Sequence, residues 1–145
     1  MNANIAAFFD TSVLIAVGDA TDPRHASSHS LLASATPKTA ACGAHTLAEF
    51  YAVLSRIPGG KRVRPEFACV LVDQIVARMT VVPLTAEDYT ATLHEAARMG
   101  LSGGIVFDAL LLACARKVSA EKIYTWNVRH FRMVAPDLAD RIVTP

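Results

Sequence analysis

The chain is poor in the features that would place it outside an ordinary reduced, folded protein. It has only three cysteines in 145 residues, Cys42, Cys69 and Cys114. They are far apart, odd in number and form no C-x-x-C pair, which excludes a disulfide scaffold and favours a reduced, intracellular setting with all three in apolar surroundings. No apolar run approaches bilayer length. The first residues carry no basic stretch, and Asp10 interrupts their apolar run, so they do not read as a secretory signal. Charge is scarce as well: charged residues make up 19% of the chain and the net charge is +1. Any nucleic-acid binding must therefore come from local basic patches. Repeats, low-complexity tracts and linkers are lacking. What remains is a chain that is 52% hydrophobic, expected to be one domain over residues 1–145, soluble and cytoplasmic.

Short apolar runs alternate with longer helical patterns. Strands are expected at residues 5–9, 39–42, 80–83 and 122–125, with an edge strand at 133–134 or 141–143. Helices are expected at 11–17, 24–35, 45–56, 65–79, 85–99 and 102–118, with a break at 57–60. Pro65 suits a first helical turn, and Thr85 with Asp88 resembles a capping box with Asp in place of Glu. Strands alternating with helices of this length imply a mostly parallel sheet of four to five strands flanked by helices, an α/β layered sandwich.

Three carboxylates stand in apolar company. Asp10 ends the first strand, where open α/β sheets keep their ligand crevice. Glu49 lies in the helix after the second strand. Asp108 is the only charge between Met99 and Arg116. Asn127 follows the fourth strand. Each has a plain explanation: Asp10, Thr11 or Ser12 caps a helix, Glu49 sits on a solvated face, Asp108 enjoys the helix dipole, and Asn127 is a turn residue. Together they can converge on one crevice, where clustered carboxylates need a proton or a cation. An all-oxygen set suits Mg2+ or Mn2+ rather than zinc and leads to metal-assisted phosphodiester hydrolysis.

Four segments carry a resemblance: Phe9-Asp10-Thr11-Ser12-Val13-Leu14, Glu49 in its helix, Leu101-Ser102-Gly103-Gly104-Ile105-Val106-Phe107-Asp108, and Tyr124-Thr125-Trp126-Asn127-Val128-Arg129. Their order and spacing resemble PIN-domain ribonucleases, specifically the VapC-type toxins of bacterial type II toxin–antitoxin pairs. The resemblance implies a PIN-like three-layer sandwich and an endoribonuclease that uses Mg2+ or Mn2+ held by Asp10, Glu49 and Asp108. Asn127 completes the catalytic set, with Thr11, Ser12 and Thr125 in support. A homodimer and a small cognate antitoxin are also implied. One departure is Asn127, where many relatives carry Asp, which removes a negative charge and weakens the case for a second ion. It also leaves a rival reading, a catalytically weak RNA- or protein-binding module.

Lys61, Arg62 and Arg64 form a basic loop that, with Arg129, supplies candidate RNA contacts, although a solvated charge run explains the loop as well. His130 is placed to act alongside Arg129. Trp126 could stack on a base, but core packing is the better reading. Two further rivals are weaker. Gly100-Leu101-Ser102-Gly103-Gly104 matches the serine-hydrolase G-x-S-x-G, but a helix rather than a strand precedes it. His25 and His29 have zinc-like spacing without a third ligand.

Overall fold

The structure is a computed structural model describing residues 4–56, 60 and 62–145. Five strands form one parallel sheet in the order β3-β2-β1-β4-β5. They are β1 (Ala7–Phe9), β2 (Ala40–Gly43), β3 (Thr80–Val82), β4 (Lys122–Tyr124) and β5 (Ile142–Val143). The helices are α1 (Thr11–Val17), α2 (His25–Ala33), α3 (Ala44–Arg56), α4 (Pro65–Arg78), α5 (Ala86–Arg98), α6 (Ile105–Lys117) and α7 (Val128–Val134), followed by a 3-10 segment, Pro136–Arg141.

Alternation along β1 divides the core into two layers. Phe8 is fully buried with Leu111, Leu112 and Cys114 of α6, Phe131 of α7 and Ile142. Phe9 turns to the other face, with Val13 and Leu14 of α1, Phe50 and Leu54 of α3 and Ile75 of α4. Burying each of these large side chains contributes roughly 1.5–3 kcal/mol, so both helical layers are fastened to the central strand. The result is the three-layer sandwich expected from the sequence.

The chain runs from β1 outward to β2 and β3, then returns to the other side of β1 for β4 and β5. The direction reverses between β1 and β4, and such a switch point opens a crevice beyond the carboxyl ends of the strands. Asp10 follows β1 and Thr125 follows β4 at that crevice.

Differences from the expected elements have local causes. α6 starts later than residue 102 because Gly103 adopts φ +71°, a left-handed conformation that no helix continues through. Residues 133–134 belong to α7, and the edge strand is the later alternative, Ile142–Val143. Cys42 and Cys114 are buried, whereas Cys69 is exposed, because α4 buries only Ala68 and Ile75 and turns Cys69 outward. The capping box forms as expected: the Asp88 N–H donates to Thr85 Oγ1 (3.1 Å) and the Thr85 N–H to Asp88 Oδ2 (2.8 Å). Residues 57–59 of the expected break, and Lys61, lie outside the described residues.

Candidate active site

The site begins with a carboxylate that the sheet places and two hydroxyls that hold it. The Asp10 N–H donates to Tyr124 O (2.9 Å), locking the end of β1 to β4. Its side chain is buried, only 4% exposed. Asp10 stands at the cap position of α1 but makes no side-chain cap bond. Its Oδ2 instead accepts Ser12 Oγ–H (2.7 Å) and Thr125 Oγ1–H (2.8 Å). Each hydroxyl is itself a link: Ser12 Oγ accepts the Trp126 N–H (3.0 Å) and Thr125 Oγ1 accepts the Asn127 N–H (2.9 Å). Two backbone amides beyond β4 thus polarise two hydroxyls that converge on one carboxylate oxygen. Oδ1 receives no hydrogen bond among the described residues.

Glu49 approaches from α3. It is half-buried in the groove, not on a solvated face. Thr11 Oγ1 lies 3.3 Å from Glu49 Oε1 and 3.1 Å from the buried Thr46 Oγ1, and its single proton serves one of them at a time. His45, one turn earlier, places Nε2 3.8 Å from Glu49 Oε1. Asp108 enters from the first turn of α6. Burial, then the Asp10 charge, push its carboxyl up to about 6 from an ordinary 3.8; His130 pulls it down and Glu49 raises it further. The Glu49 carboxyl is raised too, chiefly by burial; His45 lowers it, Asp10 raises it and the Thr11 hydroxyl lowers it. The three acids therefore share one electrostatic pocket and strain against one another's charge.

Asn127 is exposed at the cap position of α7 and makes no side-chain cap bond. Arg129 and His130 are exposed on the same helix. Trp126 is partly buried: its Nε1–H donates to Ser28 Oγ (3.0 Å), and the Arg24 guanidinium lies 5.7 Å from its ring centroid. That bond and its packing in the second core layer support the core reading for this residue. Arg62 and Arg64 are exposed, and no ion pair joins them to another described residue. Ser102 lies in the turn between α5 and α6, with no strand before it, so the hydrolase elbow has no scaffold. His25 and His29 stack on each other at 5.5 Å, and His25 Nδ1 lies 3.0 Å from Ala16 O.

The donors suit a hard cation in their chemistry. They are oxygens, mutually repelling, with Asp10 Oδ1 left over after its partner oxygen is fixed. Among the described residues, no group of three His, Cys, Asp or Glu side chains could hold a metal ion as it stands. Three like charges in a half-buried groove keep apart unless a cation draws them in.

Comparison with known proteins decides the family. The sequence model of the PIN domain matches residues 7–135, from β1 through α7. The chain belongs to the PIN-domain family. It is of the VapC type: it is 34% identical over 113 residues to "Ribonuclease VapC27" of Mycobacterium tuberculosis, spanning 77% of this chain and 78% of that relative. Its fold matches the crystal structure of M. tuberculosis VapC20, a sarcin-ricin loop cleaving toxin, with a TM-score of 0.68, 25% identity, and 84% and 90% of the two chains covered. It also matches DNA-bound VapBC from Salmonella typhimurium (TM-score 0.64, 18% identity, 97% and 98% covered), a likeness of fold alone. Within this PIN domain, the sequence pattern signalled Asp10, Glu49, Asp108 and the hydroxyls. It gave no signal for Thr46, His45 or Phe107, whose roles depend on which side of α3 and α6 faces the groove.

Proposed function

We propose that this chain is a metal-dependent endoribonuclease toxin that hydrolyses RNA phosphodiester bonds and is neutralised by a small cognate antitoxin. The observation that carries this reading is the fixed Asp10 carboxylate sharing a pocket with Asp108 and Glu49. Asp10, Glu49 and Asp108 are the residues that would hold Mg2+ or Mn2+. Such an ion, once bound, lowers the pKa of a coordinated water and offsets charge on the phosphoryl oxygens.

The chain's own residues supply the rest. Ser12 and Thr125 hold Asp10 in one rotamer, so its oxygen needs no reorganisation when a cation and substrate arrive. Thr11 steadies Glu49. The Asp108 carboxyl, raised to about 6 by burial first and then by the Asp10 charge, takes on its charge reluctantly. Asn127 adds an amide oxygen without adding charge, which favours one tightly held ion over two. Arg129, together with Arg62 and Arg64, supplies cationic contacts for the RNA phosphates. The VapBC complexes among the structural relatives support the antitoxin partner; a homodimer completes the reading as a further part of the proposal.

The test is cleavage of end-labelled structured RNA by antitoxin-free protein. Cleavage with Mn2+ or Mg2+ that is lost in EDTA, in Asp10→Asn and in Asp108→Asn supports the proposal. Equal cleavage in EDTA or by Asp108→Asn overturns the metal mechanism. RNA that is bound but never cut assigns the chain instead to a catalytically silent binding module, the rival that Asn127 suggests. Sequencing RNA ends after brief induction in cells, with Asp10→Asn as control, then identifies the target.

A further inference from the structure

Beside the acidic pocket, two rings from different helices lie face to face. His45 of α3 and Phe107 of α6 have centroids 5.2 Å apart and planes only 4° from parallel. His45 is also the residue whose Nε2 lies 3.8 Å from Glu49. Phe107 immediately precedes Asp108. The pair therefore bridges the two helices that carry two of the three acids, at the level of the acids themselves.

Packing does not account for Phe107. Its helix buries Ala109, Leu110, Leu111, Leu112, Cys114 and Ala115, yet Phe107 remains 46% exposed. A large apolar ring is thus left in water at the rim of a carboxylate groove, and its His45 partner is itself only partly covered. An exposed, flat, two-ring stack has a natural third member. Every nucleobase presents a π-face, and aromatic platforms hold bases without reading their sequence. No positive charge is needed on either ring for this contact.

We propose that the His45–Phe107 stack is a base platform that positions one nucleotide of single-stranded RNA so that its neighbouring phosphate lies at the pocket of Asp10, Glu49 and Asp108, the residues that would hold the cation. This rests on the ribonuclease reading for its substrate class, but not for its geometry. The platform orients the chain, and the carboxylates act on the backbone next to it. Because stacking tolerates any base, target choice then depends on where an RNA offers an unpaired nucleotide.

Phe107→Leu keeps apolar bulk and loses the ring; Phe107→Tyr restores a ring. Two readouts apply: KM and kcat for RNA cleavage, and the fluorescence of 2-aminopurine placed at successive positions of an oligoribonucleotide, which falls when that base stacks. The expected result is quenching at one position by the native protein. Phe107→Leu loses this quenching and raises KM about tenfold with a much smaller change in kcat, at an unaltered melting temperature, and Phe107→Tyr recovers both. His45→Phe, which preserves the stack, retains quenching.

The outcomes separate the two proposals. If native protein cleaves RNA but Phe107→Leu matches it in KM and quenching, the platform is wrong and the nuclease stands. If quenching depends on Phe107 but nothing is cleaved, the platform stands and the nuclease reading fails. If Phe107→Leu alters only oligomeric state on a sizing column, the ring serves a protein contact and the platform is overturned.

Discussion

Thr125 shows how much rests on one hydroxyl. It is fully buried, donates to Asp10 and accepts from the Asn127 amide. Thr125→Val keeps the shape but leaves the Asn127 backbone N–H unpaired and Asp10 Oδ2 with Ser12 alone, and should cost about 1–3 kcal/mol in urea denaturation. It should also lower RNA cleavage, since Asp10 loses half of its anchorage. Asp108 gives a pH signature. Its folded carboxyl binds a proton more tightly than the unfolded chain does, with its pKa raised to about 6 from 3.8. Its contribution is therefore most favourable below pH 3.8 and is lost as pH rises through about 6. In metal-free buffer, Asp108→Asn should gain melting temperature over native protein above pH 6, and the gain should shrink as pH falls. Added Mn2+ should stabilise native protein above that pH and lose its effect below it, because protons and metal compete for the same oxygens.

At the scale of elements, Gly43 fixes the seat of α6. A Cβ there would lie 2.8 Å from Leu111 Cδ2 and 3.3 Å from Cys114 Sγ, both in the packed core. Gly43→Ala should cost about 1–3 kcal/mol through overpacking and should displace the helix that carries Asp108, so stability and cleavage fall together. Thr85→Ala removes the capping box of α5, remote from the crevice, and should cost about 1 kcal/mol in denaturation while sparing cleavage. Elements of this kind were legible in the sequence because their signals are local: the Thr85/Asp88 pair, Pro65 at a first turn, apolar runs closed by glycine. The start of α6 was misplaced because the φ of Gly103 is a backbone choice that its neighbours do not announce. The choice between residues 133–134 and 141–143 for the edge strand was equally closed to view, since Met133 and Val134 are apolar in either conformation; in the structure they continue the helix that buries Phe131.

For the molecule as a whole, Asp10 was readable as the residue at the carboxyl end of β1, where a parallel sheet gathers strand ends; Glu49 and Asp108 feel its charge because of the helices that carry those two. The positions of His45 and Phe107 were not readable, since helical rotation about two separate axes decides whether those rings meet. Arg116 and Asp137 join the last helical layers through two bonds of 2.7 and 2.9 Å. The final strand then completes the sheet: Val143 O accepts the N–H of Thr125 (3.0 Å), the residue that holds Asp10. The hold on Asp10 therefore reaches across the sheet to its far edge: loosening β5 would untie the Thr125 backbone and, through its hydroxyl, the carboxylate at the centre of the fold.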